Sequence, residues 1–175
     1  MTIRKKQIEA LVEQVLTQNH IAEPPVPVEA VARKNGLQIR FQRLESDLSG
    51  FLYCTVKQKV IGVNSFHPKV RQRFTIAHEL GHFLLHQNDI LRVDRIVYAR
   101  LRSTLSSQGS DPEEVEANLF AAEFLMPRNA LARDLAQIDT VDVLDETLIV
   151  DLARRYHVST QALLLRLTNL GYVEG

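Results

Sequence analysis

The chain has 175 residues, 45% of them hydrophobic and 24% charged, which suits one domain with a real core and at most a small appended lobe. Lys+Arg and Asp+Glu number 21 each, so no net field draws the protein towards nucleic acid or anionic lipid. The single cysteine, Cys54, excludes an internal disulfide and any structural zinc site of the Cys2His2 type, and in its β-rich run it reads as a small core residue. No signal-peptide pattern and no apolar run of the roughly 18 residues a membrane span needs is present, which points to the cytoplasm and away from the membrane.

From the N-terminus, Ile8, Leu11, Val12, Val15 and Leu16 fall at helical spacing within Ile3 to Gln18 and predict an amphipathic helix. Pro24-Pro25-Val26-Pro27 cannot continue it. Val28 to Lys34 predicts a short second helix closed by Asn35-Gly36. Leu37, Ile39 and Phe41 alternate with polar residues as in a half-buried strand. Gly50 to Val56 and Val60 to Asn64 are β-rich runs joined by Lys57-Gln58-Lys59, a hairpin, which makes a small three-stranded sheet. A long helix from about Pro68 to Gln87 carries Phe74, Ala77, Leu80, Gly81 and Leu84 as its buried stripe. Gly81 in mid-helix costs roughly 1 kcal/mol against alanine and marks a close approach. Ile96-Val97-Tyr98 is a candidate edge strand in an otherwise polar stretch. Asp111-Pro112-Glu113-Glu114 starts another helix, with Asp as N-cap, Pro in the first turn and acids facing the helix dipole. It runs to Leu125 and stops before Pro127. Two helices follow, from about Leu148 to Tyr156 and from Thr160 to Asn169, the second ended by Gly171.

The chemistry is concentrated in His78-Glu79-Leu80-Gly81-His82. Two histidines four apart on a helix point the same way and supply two ligands of a tetrahedral zinc. Glu79, next to the first, is placed to take a proton from the water that such a metal activates. The pattern points to a metal-dependent peptidase. A third protein ligand is needed, with a fourth position left open. On the Asp111 helix, Glu114 and Asn118 share one face, so Glu114 is the first candidate, and Asn118 could accept the N–H of a ligating histidine. Glu116, about 160° from Asn118 on a helical wheel, is the second candidate. Glu113 and Glu123 read as solvated or dipole-complementing charges. His86 extends the histidine row, but the three positions span about 12 Å along the axis, too far for one ion. It is expected behind the ligands or on the surface, and His20, His67 and His157 as ordinary surface or helix-end residues. Tyr98 and Arg100 are the candidates for steadying an oxyanion. The strand edge near Val60 to Asn64 could receive an extended peptide.

Arg73-Phe74-Thr75-Ile76-Ala77-His78-Glu79-Leu80-Gly81-His82 resembles the signature helix of the ImmA/IrrE-type metallopeptidases, and Glu116-Ala117-Asn118-Leu119-Phe120-Ala121-Ala122-Glu123-Phe124-Leu125-Met126-Pro127 resembles that family's second hallmark. The match spans about residues 24 to 130. It implies a zincin-like α+β fold, a metallopeptidase domain over residues 1–135 with a C-terminal helical region over 136–175, and zinc on His78, His82 and Glu114, with manganese or iron as substitutes. It also implies a site-specific protease that cleaves a helix-turn-helix repressor and relieves repression during stress or mobile-element induction. Too few residues precede the sheet for a DNA-binding domain, so the repressor is expected to be a separate polypeptide. Leu152 to Leu163 has helix-turn-helix rhythm, but the charge balance favours packing or partner docking over direct DNA binding. The rival from another class is a non-catalytic zinc-containing module that binds and sequesters a transcription factor.

Overall fold

A computed structural model of the chain describes residues 4–86, 91–95, 111–136 and 146–173. Its elements are α1 (Lys5–Gln18), α2 (Val28–Lys34), β1 (Gln38–Gln42), β2 (Leu48–Cys54), β3 (Lys59–Asn64), α3 (Lys69–Leu85), β4 (Leu91–Arg95), α4 (Pro112–Leu125), α5 (Arg128–Ala136), α6 (Glu146–Tyr156) and α7 (Thr160–Leu170). The architecture is the expected α+β one, a small mixed sheet packed on helices.

Local chemistry sets most boundaries. Asn19 closes α1 by donating from Nδ2 to Val15 O at 2.8 Å, and His20 follows in the left-handed region at φ 55°. Gly36 takes φ 82° after α2, and Leu37 N then reaches back to Ala32 O at 3.1 Å. Gln72 anchors the start of α3, its Nε2 donating to Ser65 O at 3.1 Å and to His67 O at 2.7 Å. Asp111 caps α4 as read from the sequence, accepting from Glu113 N at 3.0 Å. His157 is a second left-handed helix end, at φ 53°, and Ser159 caps α7 by accepting from Ala162 N at 3.1 Å.

The sheet order is β1-β3-β2-β4. The predicted hairpin of β2 and β3 is present, with Tyr53 opposite Val60 and Cys54 opposite Lys59. β1 lies parallel to β3, from Gln38 opposite Val60 to Gln42 opposite Asn64. A fourth strand, β4, adds to the three read from the sequence and pairs antiparallel with β2. The candidate strand Ile96-Val97-Tyr98 lies outside the described residues. One expectation is corrected: the Val60–Asn64 strand is interior, with both edges paired, and has none left for a peptide. Its residues from Val60 to Asn64 are buried on both faces, as suits a strand in mid-sheet rather than at the rim. The helix α5 was not anticipated. Pro127 ends α4 but also accepts from Leu131 N at 3.0 Å, so the residue that breaks one helix opens the next.

The sheet covers one side of α3 and α4 another, so α3 is buried all round from Phe74 to His82 rather than along a stripe. Gly81 permits the α4 contact: a Cβ there would meet Phe120 Cδ1 at 3.0 Å. A single core cluster runs from Ile8, Val12 and Val15 of α1 through these layers to Leu152, Tyr156, Leu163 and Leu167 of the last two helices.

Candidate metal centre

Two elements build the site. The four-residue repeat along α3 stacks His78, His82 and His86 on one side, and α4 lays Glu114 and Asn118 across that side from the opposite direction. His78 Nε2 and His82 Nε2 lie 3.0 Å apart. Glu114 Oε2 is 3.5 Å from His78 Nε2, and its Oε1 is 3.2 Å from His82 Nε2. Three ligand atoms on a tetrahedral zinc, with bonds of about 2.1 Å, sit about 3.4 Å from one another. The spacing of the donors therefore fits an ion of that size at their centre. Both imidazoles are fully buried, whereas the Glu114 side chain keeps 20% of its surface exposed. Access from solvent is on the Glu114 side.

The outward-facing ring nitrogens explain why both Nε2 atoms point inward. His78 Nδ1 lies 3.0 Å from Asn118 Oδ1, so it carries the proton and donates it, leaving the Nε2 lone pair for the centre. Asn118 is thus where the helix-face reading put it. His82 Nδ1 lies 3.2 Å from His86 Nδ1. Two imidazole lone pairs facing each other at 3.0 Å repel unless a cation or a proton stands between them, which is a second reason the donors suit a metal.

Glu79 is fully buried beside these ligands, between α3 and the start of β2. A Cβ on Gly50 would lie 2.4 Å from Thr75 Cγ2 and 2.6 Å from Gly62 O, so glycine lets the strand pack against α3 here, with Glu79 Oε1 at an ordinary contact distance of 3.5 Å. The register of β2 against β4 shifts between Leu48 and Gly50, and Arg71 Nη2 donates to the buried Ser49 Oγ at 2.9 Å, fixing this irregular turn of strand on α3.

Burial alone would raise the pKa of Glu114, but hydrogen bonds from His78 and His82 and their charge outweigh it and hold the carboxyl well below the usual carboxylate range. Glu116 is placed otherwise: it accepts from Arg4 Nε at 3.0 Å and Nη2 at 2.5 Å, and lies 3.1 Å from His86 Nε2. The cluster that could hold a metal is His78, His82 and Glu114, so Glu116, the alternative third ligand, faces away from it. Its pKa is lowered to about 2, first by the hydrogen bond from Arg4 and against the effect of burial. His86 is buried behind the ligands. Glu123, read as a solvated charge, is buried and ion-paired with Arg166. Tyr98 and Arg100 lie outside the described residues. What sequence reasoning missed is Arg4, which opens the basic run Arg4-Lys5-Lys6 and gives no sign of a partner 112 residues away.

The IrrE N-terminal-like domain of peptidase family M78 matches residues 32–168. An uncharacterized immunity region protein 2 of Bacillus phage phi105 is 28% identical over 128 residues, 72% of this chain and 70% of the phage protein. The radiation response metalloprotease IrrE of Deinococcus radiodurans is 33% identical over 115 residues, 64% of this chain but only 31% of the longer protein. A Mycobacterium tuberculosis transcriptional regulator shares the fold at a TM-score of 0.62 with 20% identity, over 93% of this chain and 47% of that one. The chain belongs to the IrrE N-terminal-like metallopeptidase family.

Proposed function

We propose that this family member is a zinc-dependent endopeptidase that cuts a separate helix-turn-helix repressor and so relieves repression of its target genes. The observation that carries the reading is the trio of donor atoms at 3.0 to 3.5 Å on His78, His82 and Glu114. Three protein ligands of this kind leave a coordination position for substrate or water, whereas structural zinc is normally closed by four. Two imidazoles and a carboxylate suit zinc, and they would also accept manganese or iron. When bound, the metal polarises the scissile carbonyl and lowers the pKa of the attacking water towards about 7. Glu79 takes the proton from that water as it attacks and passes it to the leaving amine. Asn118 holds His78 in the tautomer that presents Nε2. With β3 enclosed, strand addition by an extended peptide falls to an outer strand. β4 is the outer strand beside β2, whose Gly50 borders Glu79.

The repressor as substrate is supported by the company the chain keeps: an immunity region protein, a radiation response metalloprotease and a transcriptional regulator. Work on a repressor places the enzyme in the cytoplasm, during stress or mobile-element induction. No helix among the described residues is long and apolar enough to cross a membrane. Arg154 and Arg155 of α6 are paired with Asp151, Asp134 and Glu23, which favours packing or docking over DNA contact for the last two helices.

The test is a purified candidate repressor incubated with wild type, Glu79→Gln and Glu114→Ala, with metal content measured on each. Wild type is expected to hold one zinc per chain and release defined fragments. Glu79→Gln should keep the metal and lose cleavage by roughly 100- to 10,000-fold, and Glu114→Ala should lose both. Repressor bound tightly but left whole by wild type would instead identify a sequestering module.

A further inference from the structure

We propose that His86, Glu116 and Arg4 form a positioning relay behind His82, through which the start of helix α1 sets the affinity of the metal centre. This rests on the reading of His82 as a metal ligand. With the imidazoles neutral, each proton in the chain of contacts follows from the chemistry of its neighbour. Glu116 Oε2, 3.1 Å from His86 Nε2, belongs to a carboxylate that can only accept, so His86 carries its proton on Nε2. Its Nδ1 is then an acceptor, 3.2 Å from His82 Nδ1, which donates and so leaves the His82 Nε2 lone pair for a metal held with Glu114. At the far end Arg4 closes the carboxylate from three directions, through Nε at 3.0 Å, Nη2 at 2.5 Å and its backbone N at 3.1 Å.

The arrangement answers three separate puzzles in the sequence. The third histidine of the row cannot share one ion with the first, yet it is buried, and Glu116 is why. Glu114 and Glu116, two residues apart, take different partners because the histidine row runs past α4: one carboxylate meets the two ligand rings, the other the ring a turn further along. Arg4 just precedes α1, which packs against α4, so its side chain makes a charged link from the start of that helix to the histidine row. A ligating histidine ordinarily donates to a carboxylate or a carbonyl. Here an imidazole is interposed, and the orientation of His82 depends on a charge pair one residue further out.

The experiment measures zinc dissociation constants by chelator competition on the folded apo-protein, and the visible absorption of the cobalt(II)-loaded protein, for His82→Ala, His86→Gln, Arg4→Gln, Arg4→Lys and the Arg4→Gln/His86→Gln double variant. His82→Ala should lose tight binding. His86→Gln should weaken zinc by roughly 10- to 100-fold, the usual cost of losing a partner of a metal ligand. Arg4→Gln should weaken it several-fold and shift the cobalt bands, Arg4→Lys should recover most of that, and the double variant should bind no more weakly than His86→Gln. Arg4 is half-exposed, so its variants test the idea even where His86→Gln fails to fold. Wild-type affinity and spectrum in Arg4→Gln, or losses that add in full in the double variant, would overturn the relay while leaving the site intact. Undiminished zinc binding by His82→Ala would overturn the site itself, and the relay with it.

Discussion

Asn118 and His86 sit behind the two candidate ligand histidines in the same place, but with different chemistry. His78 donates to a neutral amide oxygen at 3.0 Å, while His82 leads through a second ring to a carboxylate. A more negative acceptor makes an imidazole a stronger donor to metal, so as metal ligands the two would not be equivalent, and in the proposed relay His82 is the one that other parts of the chain influence. A third side-chain hydrogen bond works purely on stability. Tyr156 is fully buried, its hydroxyl donating to Asp134 Oδ2 at 2.9 Å. Burial, reinforced by that hydrogen bond and the carboxylate charge, raises its pKa far above the ordinary 10.0. The folded state therefore keeps a proton that the unfolded chain releases. The stability this contributes is complete below about pH 10 and is lost as pH rises beyond it. Tyr156→Phe is expected to cost about 1–2 kcal/mol near neutrality. The gap to wild type in urea midpoints should hold steady up to about pH 9 and shrink as pH rises beyond about 10, since the variant has no proton to lose. A constant gap would show that the phenol titrates alike in both states.

Among the elements, α3 is held between two surfaces by two glycines of different tolerance. At Gly81 a Cβ would come 3.0 to 3.2 Å from Phe120, a ring that can give by a few tenths of an ångström. The helix gains about 1 kcal/mol from alanine over glycine, so Gly81→Ala should change stability by less than about 1 kcal/mol in either direction. At Gly50 the Cβ would lie 2.4 Å from Thr75 Cγ2 and 2.6 Å from Gly62 O, and backbone cannot step aside. Gly50→Ala should cost about 2–3 kcal/mol by denaturant titration and depress peptidase activity beyond that loss, because the displaced strand borders Glu79. Equal effects of the two substitutions would contradict the different packing described. Gly81 was readable as a close approach because helices seldom spend a mid-position on glycine. Gly50 was not, because a glycine in a β run signals many things. The same limit separates the rest. Periodicity reported α1 to α4, α6 and α7 and the ligand face of α3 and α4. It says nothing of what covers a face, so β1 beside β3, the short α5 after Pro127 and the Arg4–Glu116 pair were out of its reach.

For the whole molecule, the question is whether the last two helices fold with the layers that carry His78, His82 and Glu114 or beside them. Apolar contacts put both in one core cluster, and a buried ion pair makes the connection specific: Arg166 of α7 bonds Glu123 of α4 and donates from Nε to Met126 O at 3.2 Å, while Glu123 Oε1 accepts from Arg128 N at 3.1 Å. The pair thus ties α7 to the turn between α4 and α5, one helix length from Glu114. Removing a single member leaves a buried charge without its counterpart, at a cost of about 3–5 kcal/mol, whereas replacing both with apolar residues of similar volume is often nearly neutral. Arg166→Met is therefore expected to destabilise the protein strongly and Arg166→Met/Glu123→Leu far less, in urea titrations followed by circular dichroism. If the helices belong to the same cooperative unit, each variant unfolds in one transition and the metal centre is lost with it, so zinc raises the midpoint of every variant. A first transition that leaves zinc binding intact would make α6 and α7 a separately melting lobe. The ion pair would then act as a clasp between two units, and its strength would bear on how a partner protein is received rather than on how the metal is held.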